Sequence, residues 1–142
     1  MILVTPDRIA AVMSLPSIPH SFAELDELVS HGLPKNALKA SVAHVCRSGE
    51  ERKRLLHRIV PEATYKRRRE RLTAEESARA ERLARIYATA LYVWDSEDDA
   101  RAFLNTPHSM LRGETPLDVS LTELGARRVE ELLWKLYHGI AA

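Results

Sequence analysis

An all-α fold follows from three features of this 142-residue sequence. Every periodic apolar signal has helical spacing, and no stretch alternates with the period of two that a half-buried strand needs. Start and stop signals for helices also recur from one end of the chain to the other.

The elements can be taken in order. Thr5-Pro6-Asp7 sets a capping hydroxyl before a proline at the first helical position, and Ile9, Val12 and Met13 then share one face. Ser21-x-x-Glu24 is a capping box; Phe22, Leu25, Leu28 and Val29 follow at helical spacing until Gly32 stops them. Leu33-Pro34 opens a helix carrying Leu38, Ser41, Val42 and Val45, expected to end near Ser48-Gly49. Residues 50–59 form the next, with Leu55, Leu56 and Ile59 inward and Arg52, Lys53 and Arg54 outward, before Val60-Pro61 turns the chain. Thr73-Ala74-Glu75-Glu76 is a second capping box and launches the longest helix, 74–94, whose Ala80, Leu83, Ala84, Ile86, Tyr87, Ala90, Leu91 and Trp94 form a wide apolar stripe. Ser96-x-x-Asp99 caps a helix bearing Ala100, Phe103 and Leu104, which ends before Thr106-Pro107, and Thr115-Pro116-Leu117-Asp118 starts one further turn. A last helix begins near Thr122, places Val129, Leu132, Leu133, Leu136 and Tyr137 on one face, and ends at Gly139.

Composition narrows the function classes. At 45% apolar and 29% charged residues the chain reads as a folded soluble protein, one domain or two small lobes around a shared core. Met1-Ile2-Leu3-Val4 is broken by Thr5-Pro6-Asp7, so no secretory signal is expected, and no run approaches the ~20 apolar residues that span a bilayer. The lone Cys46 excludes an internal disulfide and fits a reducing cytoplasm. His20, His31, His44, His57, His108 and His138 do not pair at i,i+4 with one another or with the cysteine, which points away from a metal site. There is no glycine-rich phosphate loop and no nucleophile elbow, so neither catalysis nor a cofactor is expected.

The densest charge lies just after Val60-Pro61. Between residues 61 and 71, Lys66, Arg67, Arg68, Arg69 and Arg71 stand against Glu62 and Glu70, a net +3 in a chain whose overall balance is +1. So local an excess on a near-neutral protein marks a contact surface for a polyanion. Residues 50–71 read as helix, turn, helix, the order in which a first helix braces and a second presents its N-terminal half to the major groove. Thr64 and Tyr65 would then meet bases or phosphates, while Lys66, Arg67, Arg68, Arg69 and Arg71 neutralise phosphate. Consecutive helical residues spread around the axis, so part of this charge is a solvated flank; the competing reading is that the whole run only keeps the lobe soluble and pairs with Glu62, Glu70, Glu75 and Glu76.

The chain also resembles a known family. Phe22 through Leu38, the Thr64-to-Arg69 segment and, above all, residues 75–139 look like the Xre/MbcA/ParS antitoxins, in a ParS-like form. The strongest motifs are Glu76-Ser77-Ala78-Arg79-Ala80-Glu81-Arg82-Leu83-Ala84-Arg85, Ala100 to Pro107, Thr115-Pro116-Leu117-Asp118 and Gly125-Ala126-Arg127-Arg128-Val129-Glu130. One departure stands out: Ile59-Val60-Pro61 replaces the glycine-containing turn usual in stronger Xre repressors.

The resemblance implies an N-terminal segment over 1–20, an Xre-like helix-turn-helix lobe over 21–72 that binds the operon's own promoter, and a toxin-binding domain over 73–142. It implies a RES-domain toxin as partner, an enzyme class that consumes NAD or transfers ADP-ribose, held inactive by an antitoxin covering its NAD-binding cleft. A homodimer and a toxin–antitoxin hetero-oligomer are expected, with no membrane contact. The last helix suits inhibition, because its apolar face is anchored while Arg127, Arg128, Glu130, Glu131, Lys135 and His138 remain outside. The short tail Tyr137-His138-Gly139-Ile140-Ala141-Ala142 fits a cleft, where Glu130 or the terminal carboxylate of Ala142 would meet phosphate-binding arginines through charge-assisted hydrogen bonds. The toxin-binding set is thus Arg127, Arg128, Glu130, Glu131, Tyr137, His138, Gly139, Ile140 and Ala142. Helical spacing alone assigns Trp94, Leu133, Trp134 and Tyr137 to the core instead, and pairs Arg127 or Arg128 with Glu131. The alternative from another class is a stand-alone DNA-binding regulator whose C-terminal lobe only dimerises.

Overall fold

The computed structural model describes residues 3–139. Among them the helices are α1 (Pro6–Val12), α2 (Phe22–Ser30), α3 (Asn36–Val45), α4 (Gly49–Ile59), α5 (Glu62–Arg67), α6 (Ala74–Trp94), α7 (Glu97–Leu104), α8 (Pro116–Val119) and α9 (Glu123–Tyr137), with a 3-10 turn at Ser109–Leu111. No strand occurs among the described residues; a lone antiparallel bridge joins Pro34 to Arg71. The fold is all-α, as the periodicity predicts.

Helix α6 is the axis of the molecule. It packs against α1, α2, α3, α4, α7 and α9, and is buried around most of its circumference. A helix so enclosed needs small residues where neighbours cross, and Ala80, Ala84, Ala88 and Ala90 supply them. One continuous apolar cluster results, running from Val4 and Ile9 through Leu38, Val60 and Leu83 to Leu104 and Leu133. Residues on both sides of Thr73 therefore share a core through α6.

Most caps lie where the sequence places them. The hydroxyls of Ser21, Ser48, Thr73, Ser96, Thr115 and Thr122 each accept a backbone N–H three residues on, and at Thr73 the box is closed by Glu76, which accepts the Thr73 N–H at 2.9 Å. Three expectations are corrected. Thr5 makes no side-chain cap; its hydroxyl turns to the Asp7 carboxylate and holds that carboxyl below its ordinary range. Glu24 accepts the His20 N–H at 2.6 Å, leaving the Ser21 box half formed. Helix α3 starts at Asn36 and not at Leu33, because Leu33 donates its N–H to the Ser77 hydroxyl at 2.7 Å and accepts from the Leu72 N–H at 2.9 Å, which holds it extended.

The same crossing explains Gly32. Its φ is +92°, and a Cβ there would stand 2.5 Å from the Leu72 carbonyl oxygen. Helix α3 ends at Val45, short of Ser48-Gly49, and its last carbonyls are met from elsewhere in the fold. Arg52 donates to Cys46 and Ala43, Arg101 to His44, and Asn105 to Val45. Two aromatics expected in the core lie at its margin: Trp94 is 41% exposed and Tyr137 45%. Both close their helices at the same end of the bundle, where Asp95 (φ 51°) and Gly139 (φ 68°) turn the chain away before another layer can cover them.

Candidate functional site

The α4–turn–α5 unit forms without a glycine. Val60 is extended (φ −130°, ψ 118°) and wholly buried, and Pro61 (φ −52°, ψ 146°) leads into α5. Neither has a positive φ, so no residue of Ile59-Val60-Pro61 needs the left-handed region. Burying Val60 fixes the angle between the two helices by packing.

Helix α5 is held by its own residues. The Tyr65 hydroxyl donates to the Lys35 carbonyl at 3.2 Å, the Lys35 ammonium lies 4.4 Å from the Tyr65 ring centroid, and Lys35 Nζ donates to the Arg68 carbonyl at 3.1 Å. Arg68 turns inward and forms a two-pronged pair with Glu76, with Nε and Nη2 each 2.9 Å from a carboxylate oxygen. The Arg68 guanidinium pulls the Glu76 carboxyl down to about 2, against the burial that opposes it. Arg71 donates to the Gly32 carbonyl at 2.8 Å.

The basic run is thereby divided. Tyr65 and Arg68 are half-buried and fasten α5 to α3 and α6, while Lys66, Arg67, Arg69 and Arg71 are exposed. Lys66 pairs with Glu62 at 3.0 Å, and Arg67 reaches the Thr64 hydroxyl at 3.4 Å. Arg69 has no ion-pair partner among the described residues. The groups best placed for a polyanion are Thr64, Lys66, Arg67 and Arg69. Lys35 was missed from sequence; Glu76 was legible as a capping residue and as one of four acids that could pair with the basic run, but not as the partner of Arg68 in particular.

The residues assigned to toxin binding fall into three settings. Arg127, Arg128 and Glu131 are exposed on α9, and Glu131 pairs with Lys135 at 3.4 Å rather than with either arginine. Glu130 points into a charge network, where Arg85 Nε lies 3.2 Å from it and the same guanidinium approaches Glu81 at 3.1 Å and Glu123 at 3.5 Å. Burial raises the Glu81 carboxyl against the pull of Arg85. Tyr137 and His138 lie at the far end of α9, ~15 Å from Arg127 at 1.5 Å per residue. There the Tyr137 and Tyr92 hydroxyls are 3.2 Å apart, and the His138 ring lies 4.4 Å from that of Trp134. Gly139 ends the helix, and Ile140 and Ala142 lie outside the described residues.

Two motifs have structural reasons. In Gly125-Ala126-Arg127-Arg128-Val129-Glu130, a Cβ on Gly125 would sit 1.8 Å from the Val119 carbonyl oxygen, so the glycine lets α9 cross the end of α8. In Thr115-Pro116-Leu117-Asp118, Asp118 reaches across to Arg58 of α4 at 2.8 Å. No group of His, Cys, Asp and Glu arranged to hold a metal occurs among the described residues, and none of the described helices is long and apolar enough to cross a membrane.

Comparison with known proteins gives concordant matches. Residues 24–85 match the antitoxin Xre-like helix-turn-helix domain, and residues 89–139 match the antitoxin Xre/MbcA/ParS C-terminal toxin-binding domain. Antitoxin Xre of Pseudomonas putida (strain KT2440) is 30% identical over 135 residues, spanning 93% of this chain and 82% of that protein.

Proposed function

The chain belongs to the Xre/MbcA/ParS family of antitoxins, and from that premise we propose that it neutralises a RES-domain toxin by covering its NAD-binding cleft and represses its own operon. An antitoxin acts by binding: the family carries a toxin-binding domain and a helix-turn-helix, and this chain has both. In this proposal residues 21–72 contact promoter DNA and residues 73–142 contact the toxin. The toxin consumes NAD or transfers ADP-ribose from it, and a homodimer reads two half-sites about one helical turn apart.

The observation that carries the reading is the placement of two outward surfaces on one continuous core. Lys66, Arg67 and Arg69 stand exposed on and just beyond α5, and Arg127, Arg128, Glu131, Tyr137 and His138 stand exposed on α9. Helix α9 packs on α6, the end of α5 is tied to α6 through Arg68–Glu76, and Arg58–Asp118 ties α4 to α8. Glu130 belongs to the Arg85 network and supports α9, leaving the end of the helix and its tail to enter the cleft.

Co-expression with the RES-domain toxin tests this. The full chain is expected to abolish the toxin's NAD loss, and deletion from Tyr137 onward to restore toxicity while circular dichroism shows the helices intact. Full protection by the truncated chain would remove the tail from the inhibitory element.

A further inference from the structure

One end of the bundle carries an apolar groove that neither the basic run nor the outer face of α9 accounts for. Trp94 at the end of α6, Phe103 of α7, Pro107 and Leu136 of α9 enclose about 330 Å³, with Asp99 and His108 on the rim. The Trp94 and Phe103 rings are 5.8 Å apart and tilted by 39°. Isolated exposed hydrophobes are ordinary on a protein surface, but an aromatic pair opening onto a cavity is the arrangement found where partners anchor.

The walls are fixed in advance. Asn105 Nδ2 donates both to Arg101 of its own helix and to Val45 of α3, and Thr106 Oγ1 donates to Ala102 at 2.5 Å. His108 accepts the Met110 N–H at 3.1 Å and sets its ring edge-on to Phe103 at 6.3 Å. A slot already formed loses little freedom when filled. At its rim the Asp99 carboxylate is exposed and has no ion-pair partner among the described residues, whereas the neighbouring Asp98 is taken by Arg47 and Arg101. The groove and its rim also lie wholly within residues 89–139, the part that matches the toxin-binding domain.

We propose that this groove between Trp94, Phe103, Pro107 and Leu136 anchors an apolar side chain of the toxin that is flanked by a lysine or arginine, which pairs with Asp99 at the rim. The proposal rests on the reading of this chain as a toxin inhibitor. The occupant's chemistry follows from the site: the slot is apolar, so its anchor is aliphatic or aromatic, and the unpaired Asp99 carboxylate at its rim is complementary to a cation.

The test uses the full-length antitoxin with a RES-domain toxin. W94S is expected to weaken the complex about 30-fold, more than the modest fall in melting temperature from lost packing on Phe103 accounts for. D99K is expected to weaken it about 10-fold, with the loss growing as salt is lowered. D99K alters only an exposed side chain and so reports on the rim even if W94S affects folding. Wild-type affinity in both variants would overturn the proposal. It would also fall if W94S split an antitoxin dimer in sedimentation while toxin binding stayed intact, since the groove would then hold a second copy of this chain. If the wild-type chain does not bind the RES-domain toxin, the toxin assignment falls, and the two variants are measured against the toxin recovered from the native cell, with the same losses expected.

Discussion

Replacing Glu76 with glutamine removes one negative charge from a site that joins α5 to α6. The carboxylate is 5% exposed and accepts from Arg68 Nε, Arg68 Nη2 and the Thr73 N–H, all at 2.9 Å. Its carboxyl is drawn from an ordinary 4.5 to about 2. At ~1.4 kcal/mol per pH unit that difference sets a ceiling of ~3 kcal/mol on the preference for the ionised form in the folded state. The Arg68 side chain is 29% exposed, so solvent screens part of the attraction, and a loss of ~2 kcal/mol at pH 7 is expected for Glu76→Gln. For a chain of this size that corresponds to a melting temperature lower by roughly 8 °C. The pH dependence follows from the depressed folded value. The contribution is complete above 4.5, where the unfolded carboxyl is ionised, and is lost as the pH falls toward about 2. Urea unfolding followed by circular dichroism from pH 7 down to pH 3 should show the wild-type advantage shrinking below pH 4.5, with part of it remaining at pH 3 because the folded carboxyl titrates only near 2. Equal stability at pH 7, or a wild-type advantage that does not shrink in acid, would refute the reasoning.

The division of the basic run gives a second outcome. Arg67→Ala should weaken promoter binding and flatten its salt dependence by roughly one unit of slope for one lost phosphate contact, with no change in melting temperature, whereas Arg68→Ala should lower the melting temperature as Glu76→Gln does. Salt titrations of operator binding beside thermal melts separate the two. Gly125→Ala reports on the approach of α9 to α8: an unobstructed glycine-to-alanine change in a helix would stabilise by ~1 kcal/mol. Here the added methyl meets the Val119 oxygen, so destabilisation by ~2 kcal/mol or more is expected in denaturant unfolding.

Much of the architecture is local and was therefore legible in the sequence. Thr73, Ser96, Thr115 and Thr122 announce their helices because a cap needs only a hydroxyl and an N–H three residues away, and residues 74–94 form α6 at the predicted bounds; Ser48, read as a stop, is the cap of α4. The Ile59-Val60-Pro61 turn was legible as a turn; that it needs no glycine follows from the buried Val60 side chain. Family membership was legible too, because four motifs in order are more specific than any single helix.

Partnership between distant residues was not legible. Charge counting makes Arg68 one of five equivalent cations, and only the tertiary fold brings the end of α5 beside Glu76 of α6. Glu130 reads as a free surface acid until α6 brings Arg85 beside it. Helical spacing assigns Trp94 and Tyr137 to the core, since periodicity reports which face a residue occupies and not whether another layer reaches that far along the helix. The sequence by itself determined the helices, their caps and the presence of a basic segment, because these depend on interactions within a few residues. The tertiary structure alone decided which charges are consumed in holding the fold, which remain for partners, and where an aromatic groove is left open, because burial and ion pairing depend on what packs opposite.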